Sequence, residues 1–213
     1  MSEELWRKIV EVHNQTKLLL LMAEEMEVSF NDFLAPVLQQ RDTLEHIIRA
    51  KAAEIGTRPV GDPGSYVEAN LDKALGHAYR AFFDVADWSS VIIREKVLNV
   101  LKPFPPEAIA SGLPTYYAEI RPRIEDLSLE IANIRNSKDI GGDDVLEEVR
   151  KYQGVVEELQ SMWKKIRAAI PSIQECSRKS VRAKFLSGIW ILVVAIAGAA
   201  IGAILTAVLT PSK

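Results

Sequence analysis

Two short stretches combine residue types that can do chemistry. The first is Arg41-Asp42-Thr43-Leu44-Glu45-His46, which sets a guanidinium and an imidazole five residues apart with acids between them. The second is a helical strip of His77, Arg80, Asp84 and Asp87 with Trp88 adjacent, a concentration that suits a polar pocket or a partner-binding surface. Beyond these the inventory is sparse. There is no phosphate-cradling Gly-rich loop, no cysteine pair for zinc, no His-Glu-x-x-His and no Gly-x-Ser-x-Gly. A di-iron bundle needs Glu-x-x-His pairs on two helices. Here the residues three before His13, His46 and His77 are Val10, Thr43 and Ala74, and those three after are Thr16, Arg49 and Arg80. With only these three histidines, neither a metal site nor a cofactor is expected.

The Arg41 to His46 stretch resembles the Arg-polar-x-x-x-His signature of the HEPN superfamily, helical ribonucleases. The resemblance covers six residues and implies that Arg41 and His46 would act at a scissile phosphate. It departs from the family in placing the motif on the second helix rather than a late one. The same segment also reads as a solvated helix face of Arg41, Glu45, His46 and Arg49 with an Arg–Glu contact at i,i+4. Likewise the His77 strip reads as an outer face with Arg80 and Asp84 paired.

These residues must be positioned by helices, because apolar residues recur three or four apart and no sustained strand alternation appears. Ser2 caps a first helix with the stripe Leu5, Ile9, Val12, Leu19, Ala23 and Met26, interrupted at Thr16, ending near Glu27. Ser29 with Asp32 caps a second, whose stripe is Phe30, Phe33, Leu34, Val37, Leu38, Leu44, Ile47, Ile48 and Ile55, with Pro36 early in it. The loop Gly56 to Gly64 leads to a capping box of Ser65 and Glu68, then a helix burying Leu71, Leu75, Ala78, Phe82 and Val85. That helix is expected to bend or restart around Asp87 to Ser90. Pro103 to Pro114 reads as a connection with at most one helical turn.

Two seams follow with alternating spacings of four and three, the pattern of a coiled coil. One is Ile120, Ile124, Leu127, Ile131 and Ile134; the other is Val145, Val149, Tyr152, Val156, Leu159, Trp163, Ile166 and Ile170. Joined by Ser137 to Asp144, with a cap at Asp143, they should pack as an antiparallel hairpin. Pro171 and Ser172 are then expected to break the register, with Ser172 and Glu175 capping a new helix.

The last segment differs from all the rest. From Phe185 to Leu209 there is no charged residue, and a helix of that length spans about 37 Å, enough for a hydrocarbon core of about 30 Å. Charge is distributed unevenly before it. Residues 1–163 carry 18 Lys/Arg against 28 Asp/Glu, or −10, whereas 164–184 carry seven cations, including Arg178, Lys179, Arg182 and Lys184, against Glu175 alone. An acidic body argues against nucleic acid as a partner, which requires a cationic face. The basic collar suits anionic lipid headgroups and places the body on the cytoplasmic side. Within the span, Gly198 and Gly202 form a small-residue pair suited to helix–helix packing in lipid. The lone Cys176 excludes an internal disulfide and reads as a free thiol or as an acylation site nine residues before Phe185.

The sequence therefore implies an all-α protein: an elongated antiparallel bundle of about five helices with a coiled-coil-like hairpin, followed by one C-terminal transmembrane helix. Its divisions would be a cytoplasmic bundle at 1–170, a basic juxtamembrane helix at 171–184, an anchor at 185–209 and a short translocated tail at 210–213. The expected function is a non-enzymatic, tail-anchored scaffold or adaptor that inserts after translation, self-associates as a homo-oligomer and binds membrane lipids and a cytoplasmic protein. The alternatives are a membrane-perturbing effector and the HEPN-like nuclease.

Overall fold

The computed structural model describes residues 2–26, 34–137 and 145–209, with side chains described except at 181, 183–188, 192, 197 and 199–209. Among these residues the chain is all-helical and holds no strand. In order come α1 (Ser2–Met26), α2 (Leu34–Glu54), α3 (Pro63–Leu101), α4 (Pro106–Gly112), a π turn (Tyr116–Ile120), α5 (Arg121–Asn136) and α6 (Val145–Leu209). The expected caps at Ser29 and Asp143, the apolar Phe30 and Phe33, and the tail 210–213 lie outside the described residues.

α3 is the axis of the body. Asp62, not Ser65, caps it, its carboxylate accepting from the backbone N–H of Gly64 and Ser65, with Pro63 preset for the first turn. It then runs 39 residues, about 58 Å, through Asp87 to Ser90 without restarting. Ser90 is accommodated inside the buried helix with its hydroxyl donating back to the Asp87 carbonyl at 2.7 Å, which leaves it satisfied. The five residues of its expected stripe are buried, and so are Ala74, Tyr79, Ala81, Phe83, Ala86 and Ile93 on its other sides. Buried residues cover most of the helix circumference, but Lys73 and Arg80 are exposed and His77 and Asp84 half-buried, so the outer face expected for the His77 strip remains as a narrow polar stripe.

Side-chain bonds fix the directions of the neighbours. α2 runs antiparallel to α3, since Gln39 meets His77 and His46 meets Asn70. α5 is antiparallel to both α3 and α6: Arg94 reaches Ser128, Asp87 pairs with Arg135, and Arg123 grips Glu158 in two bonds of 2.8 and 2.7 Å. Both expected seams are inward here, with Leu127, Ile131, Ile134, Val149, Tyr152, Val156, Leu159 and Ile166 buried. α3 and α6 consequently run in the same direction, so the bundle is not antiparallel throughout. Tyr79 bonds Glu148 and Tyr152 bonds Asp87 near one end, and Gly112 touches Ile173 near the other.

Three further expectations change. The proline-rich connection contains a two-turn helix, α4, held by burying Ala108 and Ile109. On α1, Thr16 does not interrupt the stripe: it is fully buried, its hydroxyl satisfied by the Val12 carbonyl at 2.7 Å. Pro171 does not break α6, although removing a ladder bond costs an isolated helix about 3 kcal/mol or more. Packing supplies the reason. Ile173, fully buried, lies so close to α4 that a methyl group added to Gly112 would sit 2.6 Å from the Ile173 backbone.

The α2 stripe is the largest departure. Pro36, Thr43, Ala50 and Ala53 are buried, while Leu34, Val37, Leu38, Leu44, Ile48 and Ile55 are between 37% and 65% exposed. α2 is fastened to α3 by small residues and hydrogen bonds, so its apolar stripe faces away from the core. Finally, among the described residues no helix is long and apolar enough to cross a membrane. The backbone of 185–209 is helical as the end of α6, and much of its side-chain set lies outside those residues.

Candidate functional site

The two histidines singled out in the sequence come together, but not with the arginine proposed to act beside one of them. On a helix, five residues turn through about 140°, so Arg41 and His46 project from different sides of α2. Arg41 is 68% exposed and donates to its neighbour Asp42 at 2.7 and 2.9 Å. His46 turns toward α3, its Nδ1 lying 3.0 Å from Asn70 Oδ1, and its ring stacks on that of His77 with centroids 5.4 Å apart. His77 in turn meets Gln39 Oε1 at 2.8 Å. Burial, reinforced by the charge of Arg80 and by His46, pushes the His77 pKa below the ordinary value of 6.5, with Asp42 opposing. The result is a polar seam between two helices, with His77 as its perturbed group.

The rest of the strip is divided among different neighbours. Arg80 is exposed, Asp84 is half-buried, and Trp88 packs against the core. Asp87 points across the bundle, where it accepts the Tyr152 phenol and lies 3.4 Å from Arg135. One turn or so away the Tyr79 phenol donates to Glu148. Burial, together with the Asp87 carboxylate, drives the Tyr152 pKa well above that of a free tyrosine, so this group is a fixed hydrogen-bond donor rather than an acid. Between the two phenols, Phe83 packs 4.5 Å from Tyr79 and 5.4 Å from Tyr152, centroid to centroid. These residues clamp α3 to α6, and their chemistry is structural.

A cleft that the sequence did not indicate lies where α3, α4, the π turn and α5 converge. It encloses about 690 Å³, within the range of small-molecule sites. Val97, Leu101, Ile109, Tyr116 and Ile124 line it, and Arg94, Lys102, Arg121 and Glu125 stand around it. Arg121 is committed to Glu125 at 3.0 Å. Among the described residues Arg94, by contrast, donates to neutral oxygens, the Ser90 carbonyl and the Ser128 hydroxyl, each at 3.1 Å. The π turn shapes one wall: the Arg121 N–H closes on the Tyr116 carbonyl, five residues back. Pro122, which follows at once, has no N–H with which to continue an ordinary ladder. The one sequence signal was Pro122, five residues after the second of the adjacent tyrosines Tyr116 and Tyr117, and it carried no indication that α3 would pass by.

At the far end of the chain, Arg178, Lys179 and Arg182 are exposed on α6, with Lys179 paired to Glu175 at 2.8 Å. The side chain of Lys184, and the surroundings of Gly202, lie outside the described residues. A methyl group added at Gly198 would meet nothing within 4 Å, so this position is unoccupied by the body. Cys176 is half-buried and packs against the core, which removes part of its thiol from solvent. Among the described residues no three metal-ligating side chains cluster. Comparisons with protein-family models, with curated proteins and with solved structures find no match for this chain.

Proposed function

We propose that this chain is a single-pass membrane protein whose helical body, on the cytoplasmic side, acts as a self-associating scaffold. The observation that carries the reading is the continuity of α6. Its first part contributes Tyr152, Val156, Leu159, Ile166 and Ile173 to the core, and its last part presents Ile189, Trp190, Ile191, Val193, Val194 and Ile196 with 44–69% of each exposed. Apolar side chains left bare in succession around a helix lack the polar face that water requires, and the cations at 178–184 fit the headgroup level just before them. A stalk that is also a core helix would hold the body at a fixed height above the bilayer.

Self-association is assigned to α2. Leu34, Val37, Arg41, Leu44, Ile48, Lys51 and Ile55 are spaced alternately three and four, the seam that a second helix fills. Around it Arg41, Asp42, Glu45, Arg49, Lys51 and Glu54 sum to zero charge, which suits a second copy of this chain better than an anionic bilayer. Val10, Leu18 and Leu21 on α1 are exposed as well and enlarge the apolar area available.

Alkaline carbonate extraction of membranes tests the anchor. The full chain is expected in the pellet and a chain ending at residue 184 in the supernatant; full-length protein in the supernatant sinks the anchoring reading. Cross-linking in mild detergent tests the seam. Leu44→Asp with Ile48→Asp should convert oligomer to monomer, whereas Gly198→Ile should do so only if the span carries the contact. An oligomer that survives the α2 pair of changes removes α2 from the assembly.

A further inference from the structure

We propose that the cleft between α3, α4, the π turn and α5 binds an anion carrying one long alkyl chain, with Arg94 and Lys102 holding the head and the apolar wall holding the tail. Three observations converge on that chemistry. The wall formed by Val97, Leu101, Ile109, Tyr116 and Ile124 offers hydrocarbon contact in a space of about 690 Å³. Such sites take ligands that bury most of their surface against apolar side chains while a few polar groups fix orientation.

The charges around the cleft are the second observation. Arg94, Lys102 and Arg121 face one acid, Glu125, which Arg121 already engages. That leaves an excess of two cations on a body whose first 163 residues carry −10. Arg94 is half-buried with its donors on neutral oxygens, so an incoming carboxylate or phosphate would gain a charge-assisted bond without displacing a protein carboxylate from it. A neutral ligand of the same shape would gain only an ordinary hydrogen bond there.

Position is the third. The cleft shares Ile109 of α4, and α4 packs on α6 at Ile173, only twelve residues, or about 18 Å of helix, before Phe185. The end of the body that holds the cleft is therefore the end nearest the apolar part of α6. That amphiphiles are abundant beside it rests on the anchoring reading above; the chemistry of the cleft does not.

The test uses the full chain in nonionic micelles, a hexadecanoate bearing a photoreactive diazirine, and peptide mapping by mass spectrometry. Labelling is expected on peptides covering 97–102 and 109–121. Laurate should reduce that labelling at least fivefold more effectively than dodecanol, and inorganic phosphate should leave it unchanged. Arg94→Gln should erase the preference for laurate over dodecanol while retaining labelling. Ile124→Trp, which fills the cleft, should abolish labelling with helicity intact.

Label confined to 185–209 would overturn the site. Equal competition by dodecanol would overturn the role of the cations, and competition by inorganic phosphate would overturn the requirement for a chain. The wild-type competitions decide the matter even where a variant fails to fold. Cleft labelling in a protein that carbonate extracts would keep this site and remove the anchor.

Discussion

α2 and α3 lie side by side and antiparallel, yet they use their apolar residues in opposite ways. α3 buries Leu71, Tyr79, Phe82, Phe83, Val85 and Ile93, on sides that face α1, α2 and α6 in turn. α2 buries only Pro36, Thr43, Ala50 and Ala53, and turns Leu34, Val37, Leu44, Ile48 and Ile55 outward. The contact between them is consequently close and extensive but poor in large apolar side chains, built on small residues, the stacked His46 and His77, and bonds to Asn70 and Gln39. Small residues let the two backbones approach, and the histidine bonds fix register. An apolar stripe thus requires a partner, but that partner need not be the neighbouring helix.

Perturbations of the two helices should therefore differ in size and kind. The largest effect belongs to the α3 core. Phe82→Ala removes a fully buried ring and should cost about 3–5 kcal/mol in urea unfolding. A loss below about 1 kcal/mol would mean that α3 is not the packed axis described. Next comes the close approach that carries α6 past Pro171. Gly112→Ala forces a methyl group against the Ile173 backbone and should cost about 1–3 kcal/mol, read from the same unfolding curves.

The polar seam between α2 and α3 should give a smaller, pH-dependent effect. Because the folded state lowers the His77 pKa, the unfolded chain binds the proton more readily. The contribution is thus fully present above the ordinary value of 6.5 and is lost as pH falls through the lower folded value. Tm should fall between pH 7.5 and 5.5, and His77→Gln should flatten that slope; an unchanged slope would take the seam out of the stability balance. The smallest change is expected on the outward stripe. Leu44→Ser and Ile48→Ser should each alter monomer stability by no more than about 0.5 kcal/mol, while Leu71→Ala costs about 2–5. Their larger consequence is for assembly, measured by sedimentation of the full chain. A folding defect as large as that of Leu71→Ala would show that the stripe packs inside after all.

The elements that were legible in the sequence are those whose partners were also periodic. Ile120, Leu127, Ile131, Ile134, Val149, Tyr152, Val156 and Leu159 are buried, as their spacing of three and four implied, although α6 turns its seam chiefly to α3 and α4, with Tyr152 against Phe82 and Phe83. α4 was not legible, since its two turns depend on burying Ala108 and Ile109 rather than on their own propensity. The same holds for Pro171, whose local effect is to break a helix and whose surroundings keep it in one. Of the site residues, His46 and His77 could be named but not paired, because the stack arises from two helices whose register is set elsewhere. Arg94 and Lys102 carried no signal at all; they acquire meaning only when α4 and the π turn close a cleft beside them.

The sequence by itself determined the all-helical class, the order of the main helices, the acidic body and the cationic collar before an uncharged run, because period and charge are local properties. Only the tertiary structure decided that α2 shows its apolar side outward, that α3 and α6 run in parallel, and that Arg41 and His46 part while His46 and His77 meet. Each of these depends on which surface lies opposite. A helix fixes the angle between its own side chains, whereas the burial of any one of them is a property of the neighbour against which it packs.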